Sequence, residues 1–182
     1  ALLQTTESQR QRNLEEYSKS HYVEDCKSLP ANAKGLYNIK GGKVIALEFI
    51  SQRDNETNDG RRDWSNTCSV TGQAIIFKYM GLKQFNPEKK YPDELYDYLK
   101  LKGKGYGALT DNIVENTSIL LSKYDSNKEV KYIQGSNTDK WRKMIKNEID
   151  HGRPVLVGGF TTGSGHIMVI NGYNEKGFIL HD

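Results

Sequence analysis

Trp64-Ser65-Asn66-Thr67-Cys68-Ser69-Val70-Thr71-Gly72-Gln73-Ala74-Ile75-Ile76-Phe77-Lys78-Tyr79-Met80-Gly81 is the stretch whose reading decides the fold. A short polar loop ends in a cysteine, and the run that follows is apolar almost all round, so as a helix it must be buried. Thr67 suits the N-cap and Gly81 the C′ position. The spacing predicts a central helix with Cys68 at its N-terminus. There the free backbone N–H groups and the helix dipole favour a thiolate, which a free thiol of pKa about 8.5 does not supply at neutral pH. The same residues also fit a structural cysteine that merely opens a core helix. Partners elsewhere in the chain must decide between the two.

Downstream, residues 92–101 (PDELYDYLKL) predict a helix with Pro92 at N1 and Asp93 and Glu94 in its first turn. Gly103, Gly105 and Gly107 predict a mobile loop. Residues 108–122 predict another helix, with Leu109, Ile113, Val114, Thr117, Leu120 and Leu121 inward. Residues 130–133 suggest a short strand. Residues 138–150 predict an amphipathic helix capped by Thr138 or Asn137, with Trp141, Met144, Ile145 and Ile149 as its stripe, ended by Gly152 and Pro154. Strands follow at 155–157, 166–170 and 178–181, the last two joined by an Asn/Gly turn as an antiparallel hairpin.

Upstream, residues 43–50 alternate as a strand, with Ile45, Leu47 and Phe49 on one face. Residues 54–63 (DNETNDGRRD) contain no apolar residue and predict a solvated loop. Residues 1–34 read as a charged helical arm or linker, with Leu14, Tyr17, His21 and Tyr22 at helical spacing and a break before Pro30. Residues 35–182 are then one domain. Helices followed by a β-rich half argue for an α+β fold, with N-terminal helices packed on an antiparallel sheet, rather than a doubly wound one.

The chain has 182 residues, 36% hydrophobic and 27% charged, enough for one core under a polar surface. A net charge of +3 without a clustered basic face argues against a nucleic-acid partner. No apolar run approaches the roughly 20 residues of a membrane span. The chain opens on Ala1 and closes on His181-Asp182 directly after a strand, so flanking domains of a longer protein are expected. The two cysteines, Cys26 and Cys68, form neither a disulfide framework nor a zinc pair. No metal site and no cofactor are expected. The glycine-rich residues 102–107 lack the GK[ST] ending of a phosphate loop.

A cysteine nucleophile needs a base, an orienter for that base and donors for the oxyanion. Of the four histidines, His21 and His151 are expected to face solvent and Cys26 to be a bystander, while His181 is a strand residue of either face. His166 opens an apolar strand directly after Thr161-Thr162-Gly163-Ser164-Gly165, whose glycines leave room for a ligand. In an antiparallel hairpin the end of the returning strand lies beside the start of the first, so Asp182 can orient His166. Asn171 is a rival orienter on the same strand as His166.

Several segments carry a resemblance: 51–55 (SQRDN), 66–71 (NTCSVT), 152–159 (GRPVLVGG), 165–173 (GHIMVINGY) and 179–182 (ILHD). In order and spacing they resemble the papain-like, C39-like cysteine peptidases of bacteria and phages, from about residue 50 to residue 182. The resemblance implies a papain-like fold with Cys68 as nucleophile, His166 as base and Asp182 as orienter. It makes Gln52 the oxyanion-hole donor, beside the Cys68 backbone N–H. Asn66 is an alternative donor. By analogy the substrate is a peptide or amide bond, with bacterial cell-wall (peptidoglycan) peptides favoured, in an extracellular, cell-envelope or virion-associated setting. A leader-peptide processing peptidase or a catalytically silent peptide-binding module on the same fold are the alternatives. The Gly103–Gly107 and Gly163–Gly165 loops are expected to border the cleft.

Overall fold

Lys40-Gly41 reverses the chain between two short extended runs, and Gly41 takes a left-handed backbone (φ 74°) that glycine adopts without steric cost. The runs are β1 (Gly35–Ile39) and β2 (Gly42–Ala46), antiparallel, with Ile39 opposite Gly42 and Gly35 opposite Ala46. This is a computed structural model, which describes residues 12, 16, 21–56, 66–104, 110–133, 138–159 and 165–181. Among these the chain continues with helices α1 (Cys68–Tyr79), α2 (Tyr91–Leu101), α3 (Thr110–Tyr124) and α4 (Thr138–Asp150). Strands β3 (Val155–Gly159), β4 (His166–Asn174) and β5 (Gly177–His181) complete an antiparallel five-stranded sheet in the order β1-β2-β4-β3, with β5 also on β4. The expected α+β fold is what forms.

α1 is buried along nearly its whole length, including Ser69, Thr71 and Gln73, as its apolar surround requires. One side packs on α2 and α3 through Val70, Ala74, Phe77, Leu95, Leu99 and Leu120. Each of the Val, Leu and Phe side chains contributes roughly 1.5–3 kcal/mol for leaving water. Gly72 lets another side of α1 approach the sheet: a Cβ there would lie 2.7 Å from Leu156 Cδ2 and 3.5 Å from Val169 Cγ2. α4 forms a second core with Ile45, Ile145, Ile149 and Ile170, and ends where Gly152 (φ 71°) turns the chain.

Several expectations are corrected. β1 was not foreseen, and it places a hairpin ahead of the helices. The strand expected over 43–50 stops at Ala46, and Phe49 is 64% exposed rather than inward. Val44 and Ile45 are both buried, since β2 lies inside the sheet rather than at a solvated edge. Residues 130–133 form no strand; Val130 packs against the helical core instead. Met144 is exposed, leaving Ile145 and Ile149 as the buried part of the α4 stripe. Much of the arm, Leu109, Asn137 and residues 105–109 and 160–164 lie outside the described residues. Arg12 and Glu16 are helical, but Tyr22 bridges to Asn38 of β1 and His21 is half-buried against the Tyr37 ring, so the helix does not reach them.

Candidate active site

Cys68 opens α1 and is 7% exposed, in contact with Ile113 and Ile167. Its position follows from the close approach at Gly72, which seats the first turn of α1 against the start of β4, where His166 stands opposite Gly159. Gln52 comes from a third segment, a single 3₁₀ turn over Gln52–Asp54 in which Ser51 Oγ accepts the Arg53 N–H at 3.2 Å. Cys68, His166 and Gln52 all line one cleft of about 380 Å³. Its floor is apolar, with Ile75, Ile167, Met168 and Val169. A thiol at a helix N-terminus, an imidazole and an amide donor thus face one space, from parts of the chain far apart in sequence. That set can perform nucleophilic acyl transfer.

Asp182 lies outside the described residues. Asn171, the rival orienter, does not line the cleft: it sits where the β4–β5 register shifts, 6% exposed, and its Nδ2 donates to Ile45 O at 3.0 Å. Asn66 is exposed and is not among the lining residues. His181 does line the cleft, with its ring tilted against Phe49 at a centroid distance of 5.8 Å. Its face is set by register, because His181 pairs with Val169, which faces α1. Sequence alternation alone left that face open. Cys26 is a half-buried free thiol in a separate 3₁₀ turn, Cys26–Ser28.

The polar contacts around the starts of α1 and α2 are the part that the sequence does not signal. Asn55 falls in the stretch expected to be solvated, yet it is 8% exposed. Its Nδ2 donates to Thr67 Oγ1 at 2.8 Å and to Thr71 Oγ1 at 2.9 Å. Thr67 occupies the N-cap position without making a side-chain cap bond to the helix. Asp93, expected to serve the dipole of α2, is buried and accepts the Glu56 N–H with both carboxylate oxygens, at 2.9 and 3.0 Å. Burial raises its carboxyl above the ordinary carboxylate value, against the opposing pull of the Glu56 N–H and Lys90. Glu94 accepts from Phe85 N, Asn86 N and the Tyr124 hydroxyl. Burial and that carboxylate hold the Tyr124 phenol well above its usual range.

Among the described residues no cluster of three or more His, Cys, Asp or Glu could hold a metal ion, and no helix is long and apolar enough to cross a membrane. Compared with known protein families, residues 44–182 match the model described as the Peptidase_C39 like family. No curated protein and no solved structure matches the chain.

Proposed function

The chain belongs to the Peptidase_C39-like family, and from that premise we propose that it is a cysteine peptidase acting through Cys68, His166 and Asp182. The observation that carries the reading is the cleft in which Cys68, His166 and Gln52 meet. His166 takes the thiol proton, and Cys68 Sγ attacks the carbonyl carbon of the scissile amide. The displaced electron pair collects on the carbonyl oxygen, held by the Gln52 side-chain N–H and the Cys68 backbone N–H. As the tetrahedral species collapses, the C–N bond breaks and His166 returns its proton to the leaving amine. His166 then draws a proton from water, which attacks the thioester and releases the carboxylic acid and the thiol. Asp182 holds the imidazole in the tautomer that this cycle needs.

The substrate proposed is a peptide of the bacterial cell wall, met in the cell envelope, outside the cell or at a virion, with residues 1–34 as an arm to the catalytic domain 35–182. Purified peptidoglycan incubated with the protein should release new amino groups, and Cys68→Ala should abolish the release. Release of amino groups from unrelated unfolded protein but none from cell walls would overturn the substrate and point to another peptide, such as a leader segment. No release from either would leave a peptide-binding module.

A further inference from the structure

We propose that Asn55 is the positioning residue of the oxyanion hole, an inference that rests on the peptidase reading above. Its backbone N–H donates to Gln52 O at 3.1 Å and closes the turn that carries Gln52. Its side chain reaches the other half of the hole, bonding Thr67, directly before Cys68, and Thr71, one turn into α1. One residue therefore ties the side-chain donor of the hole to the backbone donor.

The chemistry of the contact demands an amide. Thr71 Oγ1 gives its single proton to Thr67 O at 2.8 Å, so toward residue 55 it can only accept. Two acceptors then need two protons from one side chain, which the Asn55 amide has and an ionised aspartate lacks. An aspartate of the same shape would set carboxylate lone pairs against those of Thr71. The next residue adds a second anchor, because Glu56 N–H is held by the Asp93 carboxylate at the start of α2. Residues 55 and 56 are thus fixed to two different helices. The direction of the short turn preceding them, and with it the Gln52 amide, is set by side-chain hydrogen bonds rather than by a strand ladder.

Two probes separate positioning from general stability. Acylation of Cys68 by p-nitrophenyl acetate passes through an oxyanion, whereas alkylation by iodoacetamide does not; Cys68→Ala supplies the blank for both. Asn55→Asp and Gln52→Ala should each slow acylation on the order of 100-fold and leave alkylation at Cys68 unchanged. The double variant should be no slower than Gln52→Ala alone, because Asn55 acts through Gln52. Thr71→Val, which removes one acceptor, should behave in the same way and serves as the second variant if the aspartate prevents folding. Losses that multiply in the double variant, or alkylation that falls in parallel with acylation, would overturn the role of Asn55 while leaving the peptidase reading intact. Acylation of the unaltered chain no faster than that of a free thiol would overturn both.

Discussion

The two sides of the cleft are held in different ways. His166 stands on β4, which pairs with β2, β3 and β5, so its place is fixed by backbone hydrogen bonds that most single substitutions leave intact. Gln52 stands on a lone 3₁₀ turn, joined to α1 and α2 through the side chains of Asn55, Thr67, Thr71 and Asp93. Such contacts can be removed one residue at a time. The His166 side should therefore fail by unfolding, and the Gln52 side, the proposed oxyanion side, should fail while the protein remains folded.

The largest expected effect is on the ladder side. In Gly172→Ala the new Cβ would lie 2.6 Å from Lys43 O and 3.1 Å from Val44 Cα, both backbone atoms, so β2 and β4 must part. A loss of about 3 kcal/mol is expected, near the upper end for overpacking, read as a lower urea midpoint. Activity should fall only with the folded fraction. The opposite case is Asn55→Ala, which removes two buried hydrogen bonds and should cost about 1–3 kcal/mol. Here activity of the folded protein should fall well beyond what the shift in midpoint explains. Equal loss of activity per unit of stability in the two variants would erase the distinction between the two sides.

How far the cleft could be read in advance follows the same division. Cys68 and His166 were legible because each opens a strongly patterned element: an all-apolar helix and an apolar strand after glycines. The hairpin β1–β2 was not, since Gly35–Ile39 carries little alternation and its partner on β2 is buried on both faces. Asn55 and Asp93 were unreadable for a sharper reason. A polar residue amid polar neighbours looks solvated, and only the approach of α1 and α2 turns it into a buried donor or acceptor. Asp182, the proposed orienter, lies beyond the described residues.

Smaller effects sharpen the comparison. Burial raises the Asp93 carboxyl, so the native state keeps a proton that the unfolded chain releases. Stability should therefore fall as pH rises from the ordinary carboxylate value through the raised one, and that loss persists above it. Asp93→Asn keeps an oxygen for the Glu56 N–H and does not titrate. Urea midpoints from about pH 4 to about pH 7 should show a shallower decline in this variant. Away from the cleft, Glu148 is held below its usual range chiefly by its hydrogen bond from Arg153. That contribution is present above the ordinary carboxylate value and is lost as pH falls through the depressed one. The pair is partly exposed, so Glu148→Gln should cost under about 1 kcal/mol at neutral pH and leave activity alone.

The most direct test of the proposed chemistry is alkylation of the two cysteines by iodoacetamide from about pH 4 to about pH 9, resolved by peptide mass. Cys26 is the more exposed thiol and Cys68 the more buried, so accessibility alone favours Cys26. A nucleophile at a helix N-terminus beside His166 should reverse that order: Cys68 should label faster below about pH 7, and the advantage should vanish in His166→Ala. Labelling of Cys68 that trails Cys26 across the whole range, unchanged by His166→Ala, would contradict it.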